Sequence, residues 1–317
     1  MHSGGPRLID PVFLDTLIYR REGLEPRLGC AVDIEPETTK PVGSFKGRGT
    51  GAVASLLADA GRRGGGVRQC GHVGQTRVWS GRARGLDVTV VVSRSAAATK
   101  LDRIRAQGAT REPVDGDDEL ARERAASLAR NEDIRLLEDS LDLKTCEAAG
   151  TIAWELVNSG PPVDTFVLAL GGGAGHRGGP RAPGTGAARR GGLRAGAGRA
   201  GVGVILAPRR RAGTTASADT IAEGVAGRVP IPAVLDDLLL VADDVVLVRE
   251  ESTVAGMRLL LDHAALVVEP SAGLGVAAIT GDRDRFAGRS VATVACGGNV
   301  DMAVHRHWTG GAQAREP

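Results

Sequence analysis

A lysine surrounded by small residues is the first candidate for chemistry in this chain. It lies in Gly43-Ser44-Phe45-Lys46-Gly47-Arg48-Gly49, just before a segment with helical spacing. A lysine that is buried between small residues can lose its charge by desolvation, and its neutral amine is then a nucleophile. A surface lysine in a turn would show the same pattern, because short motifs recur by chance. Lys46 is therefore a candidate nucleophile that needs support from the rest of the chain.

Two further motifs follow apolar runs that are typical of strands. Gly171-Gly172-Gly173 follows Thr165–Leu170, and glycines between a strand and a helix let backbone N–H groups converge on a phosphate. Cys296-Gly297-Gly298-Asn299 lies at the end of Ser290–Cys296, where an open α/β sheet binds its ligands. The alternatives are a flexible turn for the glycines and a buried structural cysteine for Cys296.

A fourth stretch combines small residues with polar side chains. It is Gln69-Cys70-Gly71-His72-Val73-Gly74-Gln75, and a segment of helical spacing follows it. Its backbone amides can bind a carboxylate, as in other anion-binding turns. A loop with an exposed histidine fits the same residues, and the sequence alone does not decide between the two.

Strand-like and helix-like segments alternate along most of the chain, which predicts an α/β fold of open, mostly parallel, twisted sheets flanked by helices. The β-branched runs are Asp87–Ser93, Thr165–Leu170, Asp244–Val248 and Ser290–Cys296. The segments with helical spacing include Gly51–Ala60, Asp117–Arg130, Thr145–Val157 and Glu250–His263.

Composition limits the class of protein. The 317 residues are 42% hydrophobic and 25% charged, as in globular proteins, and no apolar run is long enough to cross a bilayer. The first residues do not form a secretory signal, and the net charge of +2 indicates no particular partner. The four cysteines are far apart in the sequence, which favours a reducing compartment, and we expect a cytoplasmic protein.

The order of these motifs resembles that of the fold-type II pyridoxal-phosphate enzymes, the superfamily of the tryptophan synthase β subunit. Within it, the chain is most similar to serine/threonine dehydratases and their serine racemase relatives. The resemblance extends from about Leu28 to about His307, apart from Ala174–Arg211. Ser44-Phe45-Lys46 matches the family's Schiff-base motif, and Gly171–Gly173 matches its phosphate-binding loop. Val268–Gly273 matches a motif that precedes a late helix, and Cys296–Asn299 matches the stretch whose first residue faces the pyridine nitrogen.

The resemblance implies a reaction. Pyridoxal 5'-phosphate would be bound as an imine of Lys46, whose freed amine would remove the α-proton of an amino acid. Loss of the β-hydroxyl from L-threonine or L-serine would give a 2-oxo acid and ammonia. Cys296 would face the ring nitrogen, and since a thiol holds a proton there less well than a carboxylate, elimination would be favoured over transamination.

The resemblance also implies the remaining site residues. Cys70 occupies the position where racemases carry a serine that acts as a second acid–base, and His72 replaces an asparagine that contacts the cofactor's ring oxygen. The expected substrate contacts are Ser44, Gly71, His72 and Gln75, and the expected cofactor contacts are Lys46, His72, Gly171, Gly172, Gly173 and Cys296.

The family's architecture predicts two domains. Residues 1–64 with 148–317 would form a large cofactor domain, and residues 65–147 a small mobile one. We expect a homo-oligomer, a dimer or a tetramer, that acts on a small amino acid and binds neither nucleic acid nor a membrane.

Other activities remain open: β-replacement as in cysteine synthase, threonine synthase chemistry, or a relic without catalysis. Nucleic-acid binding through the Arg/Gly-rich segment, Ala174–Arg211, is disfavoured because that segment has no aromatic residues on which bases could stack.

The segment Ala174–Arg211 departs from the family pattern. Most of its residues are Gly, Ala, Arg or Pro and none is acidic, so it is predicted to be a loop or disordered segment that cannot form an amphipathic helix. Relatives that bind a divalent cation supply acidic ligands from this region, so we predict no metal site. We interpret the segment as the product of a reading-frame shift in a GC-rich gene.

The nucleotide sequence tests this interpretation. Codons for Gly175–Arg181, read one base later, can encode Ala-Thr-Gly-Val-Gly-His-Ala, a plausible start for the helix that follows the phosphate loop in this family. The family pattern resumes near Ala212-Gly213-Thr214, as it would after a compensating shift. We expect the alternative frame to encode a helix and then a strand, with acidic residues. A true insertion is indicated if that frame encodes no such pattern.

Overall fold

The structure is a computed structural model of the chain. It describes residues 8–61, 64–67, 72–94, 98–116, 118–131, 135–137, 140–173, 191–197, 219–227 and 231–310. The chain divides into two compact units. The first unit comprises Met1–Asp15 and Lys40–Thr151, and the second comprises Thr16–Thr39 and Ile152–Pro317. No helix in the described ranges is long and apolar enough to cross a membrane.

The elements are numbered in chain order. The strands are β1 Tyr19–Arg20, β2 Ala31–Glu35, β3 Gly64–Val67, β4 Asp87–Ser93, β5 Thr110–Val114, β6 Arg135–Leu137, β7 Thr165–Ala169, β8 Gly191–Ala197, β9 Asp244–Val248 and β10 Ser290–Val294. The helices are α1 Glu25–Leu28, α2 Lys46–Asp59, α3 His72–Arg82, α4 Ala98–Ala106, α5 Asp118–Asn131, α6 Leu143–Ala149, α7 Thr151–Asn158, α8 Pro232–Val241, α9 Glu250–Ala264, α10 Pro270–Gly281, α11 Arg283–Phe286 and α12 Met302–Thr309. Short 3-10 turns occur at Pro11–Phe13, Glu22–Leu24, Glu37–Thr39 and Glu223–Val225.

The first unit is built on a four-stranded parallel sheet with the order β5-β4-β3-β6. Helices cover both faces of β4, because its side chains are buried on alternating sides of the strand. On one face Val90 packs in a cluster with Ile104, and on the other Val91 packs in a cluster with Ala121. This is the burial that a run of β-branched residues predicts for a strand inside a parallel sheet.

The second unit is built on a six-stranded sheet with the order β1-β2-β10-β7-β8-β9. Strands β2, β10, β7, β8 and β9 run parallel to one another, and the short edge strand β1 pairs with β2 in the antiparallel direction. Helix α10 is buried from Pro270 to Ile279. A helix that is apolar all round is stable only inside a core, and α10 supplies much of the apolar cluster of this unit.

The predicted fold class is confirmed, since both sheets are mostly parallel and flanked by helices. Besides residues 1–15 and 148–151, the division into units differs from the predicted domains in residues 40–64. They belong to the first unit because α2 packs against α3 and α6, and because Val53, Leu57, Leu86 and Leu137 share one apolar cluster.

One predicted helix is divided in two. The segment Thr145–Val157 forms α6 and α7, and Gly150 separates them. The Thr151 hydroxyl donates a hydrogen bond to the Ala148 carbonyl over 2.7 Å, which offers the backbone an alternative to the helical pattern at this point.

The expectation of a loop throughout Ala174–Arg211 is wrong for Gly191–Ala197, which forms β8. This strand pairs in parallel with β7 on one side and β9 on the other. Backbone groups make the bonds of a ladder, so two neighbouring strands can hold a glycine-rich segment that has low strand propensity. The rest of the Arg/Gly-rich segment lies outside the described residues.

Helices α9 and α10 approach each other through glycines. A Cβ atom added at Gly256 would lie 2.6 Å from the carbonyl oxygen of Gly273, and one at Gly273 would lie 2.9 Å from Cγ of Met257. The first obstacle is backbone, which cannot rotate away as a side chain can. The close packing of the two helices therefore requires glycine at position 256.

We expect Gly256→Ala to lower the free energy of unfolding by about 1–3 kcal/mol, the usual cost of overpacking a tight contact. The measurement is urea unfolding followed by circular dichroism. The control is Gly281→Ala in α10, where nothing lies within 4 Å of the added Cβ. This control should be neutral or stabilising, because alanine is the better helix former. Equal stability of the two variants would contradict the close helix contact.

Candidate active site

Lys46 is the first residue of α2, and the turn before it sets its position. Gly43 has a φ of 59°, in the left-handed region that glycine tolerates, and its amide donates to the Lys40 carbonyl over 2.7 Å. Ser44 is fully buried, and its Oγ lies 3.4 Å from the Lys46 amide nitrogen, which donates to it. The Lys46 side chain is partly exposed, with Nζ 5.1 Å from the centroid of the Phe45 ring.

The glycines that flank Lys46 allow α2 to pack closely within the first unit. A Cβ at Gly47 would overlap the ring of Phe13, and one at Gly49 would lie 2.5 Å from Cγ2 of Thr145. The small residues of the motif are thus explained by contacts of the helix with the Pro11–Phe13 turn and with α6. These contacts hold the backbone at the start of α2, where Lys46 lies.

The second unit carries the other motifs at one edge of its sheet. Strands β7 and β10 are neighbours and parallel, with Val167 opposite Thr293. The glycine loop 171–173 follows β7, and Cys296 follows β10. Because the carboxyl ends of parallel strands meet at the same edge, the loop and the partly exposed Cys296 lie side by side.

The glycine loop has the properties of an anion-binding turn. Gly173 has a φ of 93°, and a Cβ there would overlap Val234 of α8. A Cβ at Gly171 would lie 3.0 Å from the carbonyl oxygen of Gly224. The amides of the three glycines donate no hydrogen bond to the residues that the structure describes. Three consecutive amides without such a partner fit a phosphate group.

Next to this loop lies a set of residues that the sequence did not identify as a site. The Ser271 hydroxyl donates to Oε1 of Glu269 over 2.9 Å, and the Glu269 amide donates to the Gly297 carbonyl over 3.0 Å. Gly224 fits closely against this pair, since its Cβ would lie 2.5 Å from Oγ of Ser271. The motif around Pro270 was recognised, but nothing in its sequence indicated the contact with Gly224, some 45 residues earlier.

The predicted contacts near residue 70 are only partly described. Cys70 and Gly71 lie outside the described residues, and His72 begins α3 although its side chain is not described. Gln75 is buried in α3 with 2% of its surface exposed, and its Nε2 has no hydrogen-bond partner among the residues that the structure describes. Buried donors are normally satisfied, so this amide is suited to an acceptor on a ligand.

Each unit by itself carries some of the residues that match the cofactor motifs. Lys46 and Gln75 belong to the first unit, and the glycine loop and Cys296 belong to the second. Within the described residues there is no group of three His, Cys, Asp or Glu side chains arranged to hold a metal ion. An amine at Lys46, backbone amides at the glycine loop and a thiol at Cys296 are groups that could hold an organic phosphate cofactor.

Comparison with known proteins defines the class. The model of the family "Pyridoxal-phosphate dependent enzyme" matches residues 9–297. The match spans far more than half of the chain, so the chain belongs to this family, whose members are enzymes that depend on pyridoxal phosphate.

Individual relatives narrow the comparison. The chain is 28% identical to an L-threo-3-hydroxyaspartate ammonia-lyase from Pseudomonas sp, over 90% of each chain. It is 26% identical to serine racemase from Homo sapiens, over 98% of this chain and 91% of the relative. The solved threonine deaminase isoform 2 of Solanum lycopersicum shares the fold, with a TM-score of 0.84 and 20% identity over 95% of this chain and 89% of that one. The relatives that the chain resembles over most of its length therefore include ammonia-lyases and a racemase.

Proposed function

We propose that this protein is an ammonia-lyase that removes water from L-threonine or L-serine and releases a 2-oxo acid and ammonia. The observation that carries the proposal is Cys296, a thiol that follows β10 beside the glycine loop in a chain of this family. The ammonia-lyase from Pseudomonas sp is similar along nine-tenths of both chains, which supports the reaction class but not the choice of substrate.

Lys46 is the proposed attachment point for the cofactor and the proposed base. Bound pyridoxal phosphate supplies an electron sink for the bond that breaks at the α-carbon of the substrate. The Lys46 amine takes the α-proton of the substrate. This step requires the Cα atom of Lys46 to stay in place while its Nζ moves. The close contacts of Gly47 and Gly49 hold the start of α2 and so provide this support.

The glycine loop and Cys296 are the proposed cofactor contacts in the second unit. The amides of Gly171, Gly172 and Gly173 would donate to the phosphate, and the glycines permit the close approach that these bonds need. The thiol of Cys296 would bind at the ring nitrogen as a neutral hydrogen-bonding group. A ring nitrogen without a held proton is a moderate electron sink, which favours loss of a β-hydroxyl over transamination.

The amino-acid substrate is proposed to bind through residues of the first unit. Ser44, Gly71, His72 and Gln75 are the proposed contacts, with Cys70 as a second acid–base group. Support from the structure is strongest for Gln75, whose buried Nε2 finds no acceptor within the described part of the chain and could donate to a carboxylate oxygen.

Racemisation of serine is a second candidate activity. It is favoured by the match to human serine racemase over nearly the whole chain, and by a cysteine at position 70 that can return a proton to the α-carbon. One assay distinguishes the activities: with L-serine as substrate, 2-oxo acid and ammonia report elimination and D-serine reports racemisation. O-acetylserine with a thiol nucleophile tests β-replacement in parallel.

Replacement of the proposed lysine tests the cofactor assignment. We expect Lys46→Ala to abolish covalent attachment of pyridoxal phosphate after borohydride reduction, because no amine remains at the start of α2. The measurement is intact-protein mass spectrometry. Lys144→Ala is the matched control, since Lys144 is exposed and paired with Glu147, and it should keep the full adduct. An adduct of unchanged yield in Lys46→Ala would assign the cofactor to another lysine and overturn the proposal.

A pair of replacements at Cys296 tests the role of the thiol. We expect Cys296→Ser to keep elimination within roughly tenfold, because one neutral hydrogen-bonding group replaces another at a cost of about 1 kcal/mol. We expect Cys296→Asp to hold a proton on the ring nitrogen and to lower the share of turnovers that end in 2-oxo acid. Product ratios measured by chromatography decide this. The same ratio in both variants would place Cys296 away from the ring.

A further inference from the structure

Residues 219–227 lie against the cofactor motifs of the second unit. The carbonyl oxygen of Gly224 would be 3.0 Å from a Cβ at Gly171, so it lies directly against the start of the glycine loop. On its other side, Gly224 approaches Oγ of Ser271 and Oε1 of Glu269, at 2.5 Å and 3.4 Å from its own added Cβ. Gly224 therefore lies close to both the glycine loop and the Glu269–Ser271 pair, and a shift of Gly224 would disturb both.

A single carboxylate ties the start of this segment to α9. Oε1 of Glu250 accepts a hydrogen bond of 2.6 Å from the Thr220 hydroxyl, and Oε2 accepts one of 3.2 Å from the Ile221 amide. Glu250 is the first residue of α9, where the helix dipole stabilises its negative charge. Hydrogen bonds to an ionised carboxylate are about twice as strong as those between neutral groups.

The Thr220 hydroxyl connects Glu250 to the turn that contains Gly224. Its Oγ1 donates to Glu250 and accepts from the Ala222 amide over 3.1 Å, so both functions of the hydroxyl are used. Ala222 is fully buried in the core of the unit, and its carbonyl accepts from the Val225 amide over 3.0 Å. Hydrogen bonds thus connect Glu250, through Thr220 and Ala222, to Val225, the neighbour of Gly224 in the turn Glu223–Val225.

We propose that Glu250 and Thr220 are positioning residues for the cofactor site. They act through Gly224, which keeps the glycine loop and the Glu269–Ser271 pair at the separation that the cofactor requires. Neither residue touches the cofactor itself. This inference rests on the proposed cofactor site, and it adds two residues outside the four motifs that the chain shares with its family.

The test is the dissociation constant for pyridoxal phosphate, measured by titrating purified apoprotein and following visible absorbance. We expect Thr220→Val to raise this constant about tenfold, because valine has the same shape but neither donates to Glu250 nor accepts from Ala222. Glu250→Gln should raise it by a smaller factor, since its amide oxygen still accepts from Ile221. Thr220→Ser keeps the hydroxyl and should stay within about twofold of the parent.

Two controls separate a positioning role from a structural one. Glu251→Gln alters the exposed neighbour of Glu250 in the same first helical turn and should leave the dissociation constant unchanged. The melting temperature of each apoprotein reports the fold alone. The inference requires Thr220→Val to bind pyridoxal phosphate more weakly than the parent does. It also requires the Thr220→Val and Thr220→Ser apoproteins to have the same melting temperature. An unchanged dissociation constant, with or without a lower melting temperature, would overturn it.

The parent chain distinguishes failure of this inference from failure of the cofactor assignment. If the parent and Glu251→Gln develop no absorbance band with pyridoxal phosphate, the assignment of the cofactor site is wrong, and the positioning role falls with it. If both develop the band and Thr220→Val develops it with the same affinity, only the positioning role is wrong.

Discussion

The parallel ladder of the second unit is the constraint on which its site depends. Neighbouring parallel strands deliver their carboxyl ends to one edge, so the glycine loop after β7 and Cys296 after β10 lie together although more than a hundred residues separate them. The ladder is made by backbone groups and tolerates unusual side chains. For this reason β8 can lie between β7 and β9 with the sequence Gly-Gly-Leu-Arg-Ala-Gly-Ala.

Glycines allow close packing of the elements that carry the candidate functional groups. At Gly47 and Gly49 they let the helix that begins with Lys46 lie against its neighbours, and at Gly171 and Gly224 they let two loops meet backbone to backbone. At none of these four positions is the backbone bent into the left-handed region. Their role is close approach, which leaves little room for movement around the motifs that carry chemistry.

Polar contacts supply what close packing cannot. Glu250 and Thr220 are joined by a hydrogen bond at the start of the segment 219–227, and the Ser271 hydroxyl donates to Glu269 at the start of α10. In a family where the cofactor performs the bond cleavage, the protein contributes mainly position and electrostatics. The hydrogen bonds around Gly224 are the part of this contribution that lies beyond the recognised motifs.

The sequence by itself determined the class of fold, the four motifs and, through their order, the family. Strongly periodic elements such as β4 and α9 were predictable because their own side chains specify them. Only the tertiary structure decided which residues belong to each unit, the glycine-rich strand β8 and the contact of Gly224 with Ser271. These features depend on partners distant in the chain, and a residue with no side chain carries no local signal of the neighbours that hold it.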